Sequence, residues 1–247
     1  MTESPTPVVS LRFAPELWLF LRSGNRCDPV RVAHDGTASL GHLVESLGVP
    51  LTEVGSLETA GRPVPPGYRP SGGEVIRVAA VGRPQPVPGG PAGFLLDVHL
   101  GALARRLRLL GVDTAYRNDL DDDELVRRAN AERRILLTQD RGLLRRRALW
   151  FGGYVRGAGV EAQLVDVLDR FAPRAAPWTR CTACNGLLEP AAKAEVASAL
   201  RPGTRRTYDS FARCRDCGHV YWHGAHHRRL ESIVAAALGG SGRSCGG

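Results

Sequence analysis

Two sets of residues in this 247-residue chain have the types and spacing to do chemistry. The first is a series of carboxylates at the ends of short apolar runs. Asp97 closes "FLLD", Asp119 and the acids of "DDDE" follow "DTAYRN", and Asp140 follows "RILLTQ". Asp97 stands inside an apolar run, where a buried carboxylate needs a partner or a metal. Carboxylate oxygens suit hard divalent ions such as Mg²⁺ or Mn²⁺. Two such ions can activate a water and stabilise the leaving oxygen in phosphodiester cleavage. Without metal, three close carboxylates would raise one another's pKa. Each acid taken singly also has a simpler reading. Asp121, Asp122 and Asp123 suit a helix start as caps or solvated charge, and Asp140 suits an N-cap.

The second set is cysteines. "CTAC" supplies Cys181 and Cys184, and "CRDC" supplies Cys214 and Cys217, with 29 residues between the pairs. In a cytosolic chain such paired spacing favours metal over disulfides. Four thiolates make a closed tetrahedral zinc site, which is structural because it keeps no open position. Asn185 and Gly218, just after the two pairs, suit the tight turns of zinc knuckles. His219, His223, His226 and His227 follow, but four thiolates already fill such a site. Cys27 and Cys245 stand apart and have no expected role. "HVYWHGAHHRR" mixes aromatic, His and Arg side chains. That composition suits stacking of Trp222 on single-stranded bases; packing of Tyr221 and Trp222 against the ribbon suits it equally.

The elements that must position the acids follow from periodicity. Residues 94–172 alternate strand and helix: "FLLDV", a helix over 99–111, "DTAYRN", a helix from "DDDELVRRANAER", and "RILLT". A short helix or turn "RGLLRRRAL", a fourth strand "GGYVRG" and a helix "GVEAQLVDVLDRF" complete the segment. Repeated β-α units predict an α/β fold with a parallel sheet covered by helices. Sites in such sheets form beyond the C-terminal strand ends, so neighbouring strands would bring the acids to one rim. Leu100, Leu103, Ala104 and Leu107 share one helix face, with Gly111 as its stop. Arg141 and Arg145–147 lie behind Asp140. They either reach phosphates or form a solvated helix face.

Residues 6–81 read as a small α+β roll: strand "VVSLRF", ambiguous "LWLFLR", a helix capped by Ser39 and stopped by Gly48, and a closing strand "GEVIRVAAV". "GRPQPVPGGPAG" at 82–93 is a Pro/Gly linker. Residues 173–235 form the zinc ribbon, with a helix-like "AAKAEVASAL" in its spacer, and 236–247 a disordered tail.

The formal net charge is +8, and 32 of the 33 basic residues are arginine. Residues 1–90 carry 8 basic and 8 acidic residues, 91–172 carry 14 and 12, and 173–247 carry 11 and 5. The excess lies in the last third and points there to a polyanion partner. No apolar stretch is long enough for a transmembrane helix, and the N-terminus lacks a signal-peptide pattern. A cytoplasmic protein with no membrane partner is expected.

"FLLDVHLGALARRLRLLGVDTAYRNDLDDDELVRRANAERRILLTQDRGLL", with "RCTACNGLLEP" and "FARCRDCGHVYWHGAHHRRL", resembles the PIN-like ribonuclease domain of the Mut-seven C-terminal family, over about 91–231. The N-terminal roll, with "ESLGVPLTEV", resembles the ubiquitin-like β-grasp domain often fused ahead of it. The resemblance implies a PIN fold whose acids hold Mg²⁺ or Mn²⁺ and cut RNA. Its first acid is Asp97, its second Asp122 with Asp119 and Asp123 as rivals, and its third Asp140. Thr138 matches the small hydroxyl two positions before that acid. Two departures stand out. Gln139 replaces the usual Arg of Leu-Thr-Arg-Asp, and only Glu161 is available as a fourth acid. A metal-dependent ribonuclease is expected, with RNA as partner and the roll docking substrate or protein. A non-catalytic RNA-binding or adaptor protein is the alternative.

Overall fold

The computed structural model describes residues 7–90, 93–222, 231–232 and 234–235. His223, His226, His227, Cys245 and the tail at 236–247 lie outside the described residues. The chain divides into two compact units, Met1–Gln85 with Thr138–Tyr154, and Pro86–Leu137 with Val155–Gly247.

In the first unit, β1 (Val8–Phe13), β2 (Val30–Ala33), α1 (Leu40–Ser46), β3 (Val54–Thr59), β4 (Arg62–Pro63) and β5 (Val75–Ala80) form the roll. The strand order is β2-β1-β5-β3-β4, with β1 and β5 parallel and the other pairs antiparallel. This is the β-grasp arrangement. Alternate residues Val9, Leu11 and Phe13 of β1 enter the core, where they meet Leu40, Leu43 and Val44 from α1 and Leu47 at its C-cap. The Ser39 hydroxyl accepts from the His42 N–H, capping α1. Gly48 follows with φ +106°, and a Cβ there would lie 2.6 Å from the Phe20 carbonyl oxygen. "LWLFLR" is not a strand. It turns through a 3₁₀ segment, Pro15–Leu17, and buries Leu17, Phe20 and Leu21 without alternation. The second strand is β2, farther along the chain.

In the second unit, β6 (Phe94–Leu96), α2 (Gly101–Leu109), β7 (Thr114–Tyr116), α3 (Asp122–Ala131) and β8 (Ile135–Thr138) follow in β-α alternation. The residues of β8 up to Leu137 belong here. β6 lies between β7 and β8, parallel to both. All three residues of β6 are buried, as a strand covered on both faces requires. Leu100, Leu103, Ala104 and Leu107 are fully buried or nearly so. Gly111 ends α2 at φ +74°, and a Cβ there would lie 1.8 Å from the Ala176 carbonyl oxygen. The segment Thr138–Tyr154 of the first unit holds the one-turn α4 (Arg141–Leu144) and β9 (Gly152–Tyr154). Then α5 (Val160–Phe171) returns to pack on α2.

The ribbon contains β10 (Leu188–Ala191), α6 (Lys193–Val196), α7 (Pro202–Thr207), β11 (Phe211–Cys214) and β12 (Val220–Trp222). Its strands form an antiparallel sheet in the order β10-β11-β12. Its own core is a small cluster of Val196, Leu200 and Phe211. So small a core needs further cross-linking to hold its fold.

Candidate active site and metal centre

The predicted acids occupy separate strand or helix ends. Asp97 follows β6 and is 7% exposed. Its N–H donates to the Leu137 carbonyl at 3.0 Å, so it stands beside the end of the neighbouring strand. Its Oδ1 accepts from the Val98 N–H at 2.6 Å and starts a 3₁₀ turn, Val98–Leu100. The Tyr116 hydroxyl donates to the Val98 carbonyl at 2.8 Å. Gly101 leaves room for that bond, since a Cβ there would lie 2.6 Å from the phenol oxygen. Tyr116 was not apparent as a site residue from sequence; a glycine in the first turn of an otherwise apolar-faced helix is the signal that marks its approach.

Asp122 is the first residue of α3, whose N-cap is Asp121, accepting from the Glu124 N–H at 2.8 Å. Asp122 and Asp123 are exposed. Both oxygens of Asp119 are taken by Arg117, at 3.0 and 2.7 Å. That hydrogen bonding holds the Asp119 carboxyl below the usual carboxylate range. Asp140, after β8, is the N-cap of α4: its Oδ1 accepts from the N–H groups of Gly142 at 2.6 Å and Leu143 at 3.4 Å. Its own N–H donates to the Thr138 hydroxyl at 2.8 Å, and Thr138 is fully buried. The fourth-acid candidate, Glu161, pairs with Arg106 at 3.0 Å.

The four cysteines do converge. Their sulfurs lie within 4.8 Å of one another, with Cys184–Cys214 at 3.4 Å and Cys181–Cys217 at 3.7 Å. Zn–S bonds of about 2.3 Å in a tetrahedron place sulfurs about 3.8 Å apart, so the group could hold a zinc ion. Asn185 and Gly218 adopt φ +77° and +73°, the left-handed turns expected after each pair. The Tyr221 hydroxyl lies 3.0 Å from the Cys181 sulfur and accepts from the Thr182 N–H at 3.1 Å. Burial works to raise the Cys181 pKa, but the Tyr221 hydroxyl and backbone N–H groups overcome it and lower it to about 7.

Comparison with known families fits both halves of this architecture. Residues 92–234 match the model of the Mut7-C RNAse domain, and residues 6–85 match that of the Mut7-C ubiquitin domain. The chain belongs to the Mut7-C RNAse domain family. No curated protein and no solved structure matches it.

In this Mut7-C chain the candidate RNA-facing residues fall in different settings. Arg145 is exposed at the C-cap of α4. Trp222, 39% exposed, lies opposite Phe211 in the ribbon sheet. The Arg141 guanidinium donates to the carbonyls of Phe20 at 2.9 Å and Leu19 at 2.8 Å.

A further cluster, not apparent from sequence, ties the cysteine knuckle to the Mut7-C sheet. Arg108 is 3% exposed. It donates to the carbonyls of Thr114 at 2.8 Å, Thr182 at 3.2 Å and Ala183 at 2.7 Å. Asp113 accepts from Arg134 at 2.6 Å, Asn185 at 2.9 Å and Arg180 at 3.1 Å. The Asn185 side-chain oxygen in turn accepts from the Thr114 N–H at 3.0 Å. The left-handed turn of the knuckle is thus fastened to β7 and the turn before it.

Proposed function

We propose that this protein is a metal-dependent ribonuclease. The membership in a ribonuclease-domain family supports the reaction class, and the observation that carries the site assignment is Asp97. A carboxylate 7% exposed, at the end of a strand flanked by parallel neighbours, stands at the rim where such sheets place their sites. Asp97, Asp122 and Asp140 would hold Mg²⁺ or Mn²⁺, an oxygen donor set of the hardness those ions prefer. Such an ion supplies an activated water and charge stabilisation at the leaving oxygen. The chain's own residues then set the geometry. Thr138 fixes the Asp140 backbone, Asp121 leaves Asp122 in the first turn of α3, and Arg145 and Trp222 receive phosphate and base.

The cysteine quartet would hold a structural zinc that substitutes for the missing core of the ribbon. RNA is the proposed partner of the Mut7-C segment, with the ubiquitin-like roll offering a surface for a protein. No helix among the described residues is long and apolar enough to cross a membrane. A reducing cytoplasm would keep the four thiols available to metal.

The second reading is RNA binding without turnover. It is favoured by Gln139 in place of the family's usual Arg, and by the ion pair that occupies Glu161. Cleavage of varied RNAs with Mn²⁺ separates the two. Asp97→Asn is expected to lower the rate on the order of 100-fold or more while leaving RNA affinity intact, the loss of electrostatic stabilisation at a reacting centre. Equal rates for the two proteins would sink the metal-acid mechanism. RNA binding by wild type with no cleavage would establish the second reading.

A further inference from the structure

We propose that the ubiquitin-like roll is a positioning element of the nuclease site, acting on Asp140 through Arg141. The inference rests on the reading of Asp140 as a metal-holding acid.

The segment Thr138–Tyr154 lies in the same compact unit as the roll. It is fastened to the roll near both of its ends. Near the first, Arg141 donates one nitrogen to the Phe20 carbonyl at 2.9 Å and the other to the Leu19 carbonyl at 2.8 Å. The same guanidinium carbon lies 5.3 Å from the centroid of the Phe20 ring. At the other end, the Tyr154 N–H donates to the Glu53 carboxylate at 2.8 Å. The Tyr154 ring meets the Phe20 ring edge-on, with centroids 5.0 Å apart. Phe20 and Glu53 are both fully buried. Phe20 therefore receives the segment from two sides, and its carbonyl is held in place where Gly48 leaves no Cβ to displace it.

Asp140 sits directly beside the first anchor. It lies between the buried Thr138 and the anchored Arg141. Its N–H is held by the Thr138 hydroxyl, and its Oδ1 is held by the N–H groups of Gly142 and Leu143. Displacing Arg141 would rotate the first turn of α4, and with it the carboxylate that caps the turn. A guanidinium can bridge two successive carbonyls because its donors are fixed in one plane; an ammonium cannot reproduce that fork. A roll that served only to dock a partner would need none of these contacts. This assigns Arg141 to the roll rather than to a phosphate.

The test uses the full-length chain. Mn²⁺ binding is followed by electron paramagnetic resonance, and RNA cleavage is followed against both Mn²⁺ and RNA concentration. Arg141→Ala is expected to weaken Mn²⁺ binding on the order of tenfold, as loss of a supporting contact does for other metal ligands. The KM for RNA should be unchanged and the rate should recover at saturating Mn²⁺. Arg141→Lys should fall between the two proteins. Phe20→Leu, which alters only the roll side of the contact, should shift Mn²⁺ binding in the same direction by a smaller factor. Should Arg141→Ala fail to fold, the Lys and Phe20 variants decide the matter. Unchanged Mn²⁺ binding in the folded variants overturns the proposal. So does a raised KM for RNA with Mn²⁺ binding intact, which would make Arg141 a phosphate contact. Asp140→Asn separates this failure from that of the underlying reading: wild-type Mn²⁺ binding and cleavage in that variant would remove Asp140 from the site altogether.

Discussion

Arg108 and Arg141 each reach across the sequence to two consecutive backbone carbonyls, Arg108 to those of Thr182 and Ala183, Arg141 to those of Leu19 and Phe20. They work at different depths. Arg108 is 3% exposed and spends a third donor on the Thr114 carbonyl. Burial pushes its pKa down, and the neighbouring Cys184 and Cys181 sulfurs pull the other way. Arg141 is half-buried and rests over an aromatic ring. A Zn²⁺ ion held by four thiolates would carry a net negative charge, so at the ribbon junction the arginine would be a counter-charge as well as a donor. At the roll junction the carbonyls are neutral, and the arginine serves geometry. In a chain whose basic residues are nearly all arginine, the total charge hides this division of labour.

The largest expected effect tests that difference directly. Arg108→Met should leave three backbone carbonyls without their donor and the thiolate cluster without its cation, costing about 3–5 kcal/mol. Arg141→Met should cost about 1–2 kcal/mol, the scale of lost hydrogen bonds at a half-buried site. Hydrogen exchange at β7 and the knuckle for the first, and at β1 and β5 for the second, would measure both. Equal costs would break the comparison.

Why one arginine was legible as a candidate and the other was not is a matter of range. Local patterns carried the helices. The spacing of Leu100, Leu103, Ala104 and Leu107, the Ser39 cap and the Gly48 and Gly111 stops all depend on residues a few positions apart, and all appear in the structure. The cysteine knuckles were legible for the same reason: each pair and its left-handed turn lie within six residues. Partners of Arg108 and Asp113 lie up to 75 and 72 residues away. No local pattern encodes such a pairing. "LWLFLR" stays ambiguous from sequence because an apolar run without a period does not say whether it will extend or turn; here Pro15 opens a 3₁₀ turn, and the strand forms at Val30–Ala33. Arg141 was visible as charge behind Asp140, but the carbonyls that claim it are more than 120 positions away.

A middle-sized effect should come from acid. Burial works to raise the Asp113 pKa, but the donors Arg134 and Asn185 and the charge of Arg180 outweigh it and hold the carboxyl below its usual value. A carboxylate depressed in the folded state contributes stability that is complete above the unfolded value, about 3.9. That contribution is lost as pH falls through the lower, folded value. Wild type should therefore lose stability below about pH 4, and Asp113→Asn should start about 1–2 kcal/mol lower at neutral pH and fall less steeply. Thiolate protonation acts on both proteins alike, so the difference between their unfolding curves isolates Asp113. Parallel curves would show that the knuckle is held by Arg108 alone.

The smallest expected effect sharpens the ribbon side of the comparison. Tyr221 touches the cluster from the face opposite its exposed neighbour, its hydroxyl 3.0 Å from the Cys181 sulfur and accepting from the Thr182 N–H. It adds no charge, only a hydrogen bond to one ligand. Tyr221→Phe should lower zinc affinity by about tenfold, within the range for loss of a group that supports a metal ligand, while leaving the fold and Arg108 in place. Because Tyr221 helps lower the Cys181 pKa to about 7, its loss should let protons compete for that sulfur at higher pH. Zinc competition with a chelator across pH 5–8, a window set to bracket the ordinary onset of thiol titration, would therefore show the variant releasing metal at the less acidic end. A variant that binds zinc as wild type does at every pH would mean that the arginine junction, and not the tyrosine, governs the cluster.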